Sequence, residues 1–112
     1  MNHDSTDLSH HIARFKGCRL VCVGDVMADR FIYGDVMRIS PEAPVPVVRI
    51  THEFSQLGGS GNVARNAASL GASISFFSVI GSDRAGREVT ELLGEHTSIE
   101  PFLRVTAGRE TT

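Results

Sequence analysis

Two groups of residues in this chain have the types and spacing for chemistry on a hydroxyl-rich or anionic ligand. Asp25 and Asp29 follow the end of a short apolar run, and Gly58, Gly59 and Gly61 run directly into Asn62. An ionised carboxylate only accepts hydrogen bonds, so a single aspartate can accept from two neighbouring hydroxyls of a polyol. Glycines allow close backbone approach, and a helix starting just beyond them turns its N–H groups and the positive end of its dipole toward the same place. Asn62 adds an amide that both donates and accepts. Each group also has a plainer reading: the aspartates as a turn and helix cap, the glycines as a tight turn. Acid–base catalysis is a third use for two carboxylates, but nothing in their spacing enforces it.

Other chemistries are disfavoured. The glycine cluster lacks the Gly-x-x-x-x-Gly-Lys-Ser/Thr pattern of a P-loop, and it departs from the Gly-x-Gly-x-x-Gly of a dinucleotide fold. His10 and His11 have no further ligands close by in sequence, so solvated side chains are expected there and no metal site. Cys18 and Cys22 are placed in one extended segment, roughly 13 Å apart, too far to bridge, and are read as ordinary thiols. With 11 Lys+Arg against 13 Asp+Glu and a formal charge of -2, the chain has no basic surplus for nucleic acid. No apolar run approaches the roughly 20 residues that span a bilayer. Residues 1–11 lack the apolar core of a signal peptide, so the expected compartment is the cytoplasm, with no membrane partner.

The elements that must position these residues follow from the apolar pattern. Residues 1–18 read as a polar leader, becoming helical over Ile12 to Lys16. Arg19 to Val23 is a continuous branched run, expected as a buried first strand of a parallel sheet, whose end is where α/β proteins hold ligands. Phe31 to Val36 and Pro46 to Ile50 favour strands, while Pro41, Pro44 and Pro46 forbid a helix and a central strand position. This points to a small β-flap over residues 30–57. A glycine turn over Gly58 to Asn62, a helix over Val63 to Leu70, a strand over Ser73 to Ile80, a turn at Gly81 to Asp83, a helix over Arg84 to Leu93 and a strand over Ile99 to Val105 complete the pattern. With 41% apolar residues and no repeat, this is an α/β domain, read as the opening part of a larger one over residues 19–112.

Several pieces together resemble the N-terminal part of the ribokinase-like (PfkB) carbohydrate kinases. They are the strand followed by Gly24-Asp-Val-Met-Ala-Asp29, the two-part flap, Gly58-Gly-Ser-Gly-Asn62-Val-Ala, Leu70-Gly-Ala72, and Val79-Ile-Gly-Ser-Asp83 with Gly86. Within the family, Gly24 to Phe31 and above all Arg38-Ile-Ser-Pro-Glu-Ala-Pro-Val-Pro-Val-Val48 are similar to the heptose 7-phosphate kinase domains of bifunctional ADP-heptose synthesis enzymes. The resemblance implies an α/β/α sandwich with the flap as lid and dimer contact. It also implies ATP- and Mg-dependent phosphorylation of the anomeric hydroxyl of heptose 7-phosphate, on the way to the lipopolysaccharide core. Carried over by position, Asp29, Gly58, Gly59 and Asn62 hold sugar hydroxyls, Asp25 stands in the motif as a further candidate, and Arg38, Pro41, Glu42, Pro44 and Pro46 belong to the lid. Arginines including Arg30, Arg65, Arg84 and Arg104 are candidate partners for the substrate phosphate.

The family's catalytic aspartate sits in a Gly-Ala-Gly-Asp type motif with most ATP contacts, and no such motif occurs among these 112 residues. The expectation is therefore a sugar-side portion whose ATP-binding half is missing, with no catalytic residue of its own and no activity alone. Two alternatives stand beside it: a family member acting on another sugar or nucleoside, and a non-catalytic chain that pairs through its flap.

Overall fold

The computed structural model describes residues 7–39 and 46–112. In chain order the elements are α1 (Ser9–Ala13), β1 (Arg19–Val23), β2 (Val26–Ile39), β3 (Pro46–Gly59), α2 (Ser60–Ser69), β4 (Ser73–Gly81), α3 (Arg84–Gly94) and β5 (Ile99–Thr106). β1, β4 and β5 form a parallel sheet in that order, with Val23 opposite Phe77 and Phe77 opposite Phe102. Parallel neighbours need a crossover. The β2–β3 hairpin with α2 links β1 to β4, and α3 links β4 to β5.

Alternation along β4 decides the core. Ile74, Phe76 and Ile80 point to one face and are buried with Ala64 of α2 and Val89 and Leu93 of α3. Val26 and Leu57, from the root of the hairpin, complete this cluster, so the flap's base is part of the core. On the opposite face Val21 and Val23 are 71% and 75% exposed, beside exposed Val79 and the stacked rings of Phe77 and Phe102. The described residues thus build the sheet and a helical layer on one side of it. No helix among them is long and apolar enough to cross a membrane.

α3 begins as its pattern predicts, with Asp83 capping it by accepting from the Gly86 N–H at 2.8 Å. Two boundaries and the placement of Cys18 differ from expectation. The leader's helix is Ser9–Ala13 instead of Ile12 to Lys16; Phe15 to Gly17 continue as turns, and the Gly17 N–H reaches the Gly71 carbonyl. β1 begins at Arg19, leaving Cys18 before the strand, where its thiol donates to the Arg14 carbonyl. The hairpin runs from Val26 to Gly59, beyond the expected 30–57 at both ends, because β2 pairs with β3 down to Val26 opposite Gly59.

Candidate functional site

The site is built where three chain segments meet at the carboxyl end of β1. Ser78 of β4 donates its hydroxyl to the Gly24 carbonyl at 2.6 Å and accepts from the Val26 N–H at 3.2 Å. This bridge takes the place of ladder bonds where the chain leaves β1 for the hairpin. Asp25 lies in that short gap, exposed, with its carbonyl accepting from the Ser60 N–H at 2.8 Å. Asp29 is not in a turn or at a helix cap. It stands within β2, opposite Gln56.

The expected glycine turn over Gly58 to Asn62 does not exist. Gly58 and Gly59 are the last residues of β3, and Ser60, Gly61 and Asn62 already belong to α2, which starts three residues before Val63. The chain changes direction at Gly59 alone, with φ 58° and ψ -131°, a region open essentially to glycine. A side chain there would also drive Cβ to 2.5 Å from the Asp25 carbonyl oxygen. Gly58 serves a different end. The space its Cβ would fill is taken by the Asp29 carboxylate, whose Cγ would lie 2.6 Å away. The structure therefore lays an exposed carboxylate directly over a bare backbone.

Asn62 sits in the first turn of α2, half-buried, and its Oδ1 accepts from Arg65 Nη2 at 2.6 Å. One lone pair of Oδ1 is thus used within the helix, and its NH2 group and second lone pair are left to meet a ligand. The Asn62 side chain bonds to neither aspartate. Ser60 Oγ, at the same joint, is the buried side-chain oxygen without a hydrogen-bond partner among the described residues. Asp25 faces a cleft of about 350 Å³ that it shares with Ser78 and Arg104, and Arg104 has no ion-pair partner among the described residues. A roomier hollow of about 570 Å³ lies among Arg19, Ser73 and Ile99, at the amino ends of the strands, the wrong end of a parallel sheet for a ligand.

Two carboxylates that sequence reasoning passed over tie this region together. Asp83 accepts from the Thr111 N–H at 2.9 Å and from its hydroxyl at 2.7 Å, while Thr111 Oγ1 accepts from the Gly81 N–H. The carbonyl of the next residue, Thr112, accepts from the Ala28 N–H at 2.9 Å and so reaches the root of the hairpin. The Thr111 bonds, then that from Gly86, hold the Asp83 carboxyl below the usual aspartate range. Glu88 of α3 accepts from Ser55 Oγ at 2.6 Å, Arg30 Nη2 at 2.8 Å and Arg84 Nε at 3.1 Å. The Ser55 bond foremost, with the two arginine charges, lowers its pKa against the opposing effect of burial. The capping position of Asp83 is readable from sequence, but its bonds to Thr111 and the Arg30–Glu88 contact join residues far apart in the chain.

Of the lid residues, Pro41, Glu42 and Pro44 lie outside the described residues. Arg38 and Pro46 are placed by backbone alone, opposite Val47 and Ile39. Among the described residues no group of three His, Cys, Asp or Glu side chains converges on a point that could hold a metal ion.

The sequence profile of the pfkB family carbohydrate kinases matches residues 18–112. This chain belongs to that family. The Bifunctional protein HldE of Paramagnetospirillum magneticum is 53% identical over 105 residues, covering 94% of this chain and 22% of the relative. The protein of the same name from Rhodospirillum rubrum is 49% identical over 105 residues, covering 94% and 21%. This pfkB-family chain therefore spans about a fifth of the length of the curated relatives it matches. Among solved structures, a carbohydrate kinase from Agrobacterium tumefaciens superposes with a TM-score of 0.66 at 23% identity, over 84% of this chain and 29% of the other. A fructokinase with bound ATP from Xylella fastidiosa gives 0.63 at 22% identity, over 85% and 28%. Those likenesses establish the ribokinase-like α/β fold.

Proposed function

We propose that this chain is the sugar-binding part of an ATP-dependent kinase that phosphorylates the anomeric hydroxyl of heptose 7-phosphate. The observation that carries the reading is the Asp29 carboxylate laid over Gly58 at a joint where α2 begins with no intervening loop. Asp29 accepts from sugar hydroxyls, the bare backbone of Gly58 and Gly59 lets the ring approach, and Asn62 donates through the NH2 group that Arg65 leaves free. Asp25 borders the same end of the sheet as a further polar contact. The choice of heptose rests on the Arg38 to Val48 segment and on relatives near 50% identity that carry the name Bifunctional protein HldE.

Phosphoryl transfer needs a base, oxyanion-stabilising groups and a Mg-bound nucleotide acting together. In this reading those belong to other parts of the protein, and these residues bind and orient the acceptor sugar. The hairpin acts as the lid. Its exposed Phe54 stacks on both Phe31 and Tyr33, with His52 against Tyr33, and these rings offer an aromatic strip for pairing with a second copy.

The test is ATP-dependent phosphorylation of D-glycero-D-manno-heptose 7-phosphate by the 112-residue chain beside the protein as its gene encodes it. Turnover only by the latter supports the reading. Turnover by the short chain places a catalytic base within residues 1–112 and overturns the division of labour, and turnover on a different sugar by both removes the heptose assignment.

A further inference from the structure

We propose that Glu88 is a positioning residue for the sugar site, gripping the hairpin from α3 and fixing the angle at which β2 carries Asp29 over Gly58. The inference rests on the sugar-kinase reading above for what the angle serves. The grip itself rests on geometry.

Arg30 and Ser55 are direct cross-strand partners, one pair further along the hairpin than Asp29 and Gln56. Glu88 bonds to both, taking Arg30 Nη2 on Oε1 and Ser55 Oγ on Oε2. A single carboxylate on the core helix therefore spans the two strands of the lid. Arg84, one helical turn before Glu88, shares Oε1 and keeps the carboxylate turned toward the hairpin. The Glu88 side chain is only 19% exposed, which lessens the screening that makes open surface pairs weak.

Adjacent side chains in a strand point to opposite faces, and the register is regular from Val26 to Tyr33. Holding Arg30 toward α3 therefore turns Asp29 the other way. An isolated two-stranded ribbon is marginal and depends on what it packs against for its direction. At its root the hairpin is tied by the Ser60 N–H to the Asp25 carbonyl and by the Ala28 N–H to the Thr112 carbonyl. Those bonds, with Val26 and Leu57 in the core, fix the root of the hairpin. Glu88 supplies a point of attachment away from that root.

The experiment compares Glu88→Ala and the near-isosteric Glu88→Gln with the unaltered protein, all as the gene encodes it. Amide hydrogen exchange is read over 26–34 and 52–59, with β4 as internal control, alongside steady-state kinetics. The expected result for alanine is exchange in the hairpin about tenfold faster with β4 unchanged. The KM for the sugar phosphate rises about tenfold, kcat moves less than about threefold and the KM for ATP stays put. Glutamine, which keeps the shape and one acceptor, gives a smaller shift in the same direction and keeps the comparison alive if alanine fails to fold. Unchanged hairpin exchange in the variants overturns the grip. Faster exchange with an unchanged sugar KM in an active enzyme overturns the positioning role. If the unaltered protein phosphorylates no sugar offered to it, the kinase reading falls alone, because the exchange comparison decides the grip without turnover.

Discussion

Replacing Gly58 by alanine separates the proposed sugar contact of Asp29 from the scaffold that holds it. Gly58 is not among the glycines of positive φ, so its backbone accepts alanine, and a compatible Gly→Ala change lowers unfolded-chain entropy by about 0.4–1 kcal/mol in favour of folding. The atoms nearest the new methyl all belong to the Asp29 carboxylate, with Cγ at 2.6 Å and Oδ1 at 2.9 Å, the free end of an exposed side chain that can swing away. Stability therefore stays within about 1 kcal/mol of the original. Binding does not. Hydrogen bonds to a charged acceptor contribute about 1.5–3 kcal/mol each, so displacing one carboxylate from one hydroxyl lowers kcat/KM for the sugar about 10- to 150-fold. Gly59→Ala behaves in the opposite sense. At φ 58° and ψ -131° it costs about 1–3 kcal/mol of stability, and its Cβ strikes the Asp25 backbone carbonyl, which has no rotamer by which to escape. The assay pairs urea unfolding with sugar-phosphate kinetics for Gly58→Ala, Gly59→Ala, Asp29→Ala and the Gly58→Ala/Asp29→Ala double variant. In the double variant the methyl has no carboxylate left to displace, so the Gly58 effect on kcat/KM falls to the part due to the methyl's own crowding of the ring. A full Gly58 effect on the Asp29→Ala background, or unaltered kinetics for Gly58→Ala alone, would show that this carboxylate does not hold the sugar.

Acid weakens the Asp83 and Glu88 attachments. Both folded-state pKa values lie below the ordinary range of about 3.9–4.3, so their contribution is complete above that range and is lost as pH falls through the lowered values. Asp83→Asn consequently flattens the loss of stability seen in unfolding curves taken from about pH 5 down to pH 2. The cysteines label unequally with iodoacetamide: exposed Cys18 reacts first, while Cys22, half-buried with its pKa raised by desolvation, lags about tenfold, as mass spectrometry of timed quenches would show. Phe31→Ser with Phe54→Ser removes the stacked pair of the hairpin's aromatic strip and shifts the protein toward monomer in analytical ultracentrifugation. Equal sedimentation of variant and parent speaks against pairing through that face. The 112-residue chain by itself, with Val21, Val23 and Phe102 exposed on the open face of the sheet, aggregates at micromolar concentration; a soluble, cooperatively unfolding chain contradicts this.

What was legible in the sequence was local. The branched run at Arg19 to Val23, the strand over Ser73 to Ile80 and the helix over Arg84 to Leu93 were readable as elements of a parallel α/β sheet, but β1, expected to be buried, is exposed at Arg19, Leu20, Val21 and Val23, because the described residues cover only one face of the sheet. The hairpin's first residues were hidden because Gly24-Asp25 has the chemistry of a turn, while the bridge from Ser78 that lets β2 begin at once is 52 residues away. The glycine cluster misled in the same way. Its composition suits a loop, and only the positive φ of Gly59 reveals a strand joined to a helix at a single residue. Asp29 and Gly58 were singled out as ligand candidates, but their mutual contact depends on hairpin register, which no local pattern supplies. The Asn62–Arg65 bond was within reach, since residues three apart on a helix are neighbours. The grip of Glu88 on Arg30 was not, as 58 positions separate them.

The loopless joint between Gly59 and Ser60 also governs which lengths of this chain are viable. A deletion of one residue between Ser55 and Gly59 would turn Leu57 out of the core and carry Gly58 away from Asp29, because strand side chains alternate and no spare residue lies between strand and helix to take up the slip. Beyond the Arg30–Ser55 pair that constraint relaxes, since residues added equally to both arms leave the root, the core and the Asp29–Gly58 contact in register. Length differences among related kinases are thus expected in the outer reach of the flap, where the shape of the lid can diversify while the joint below it keeps its count.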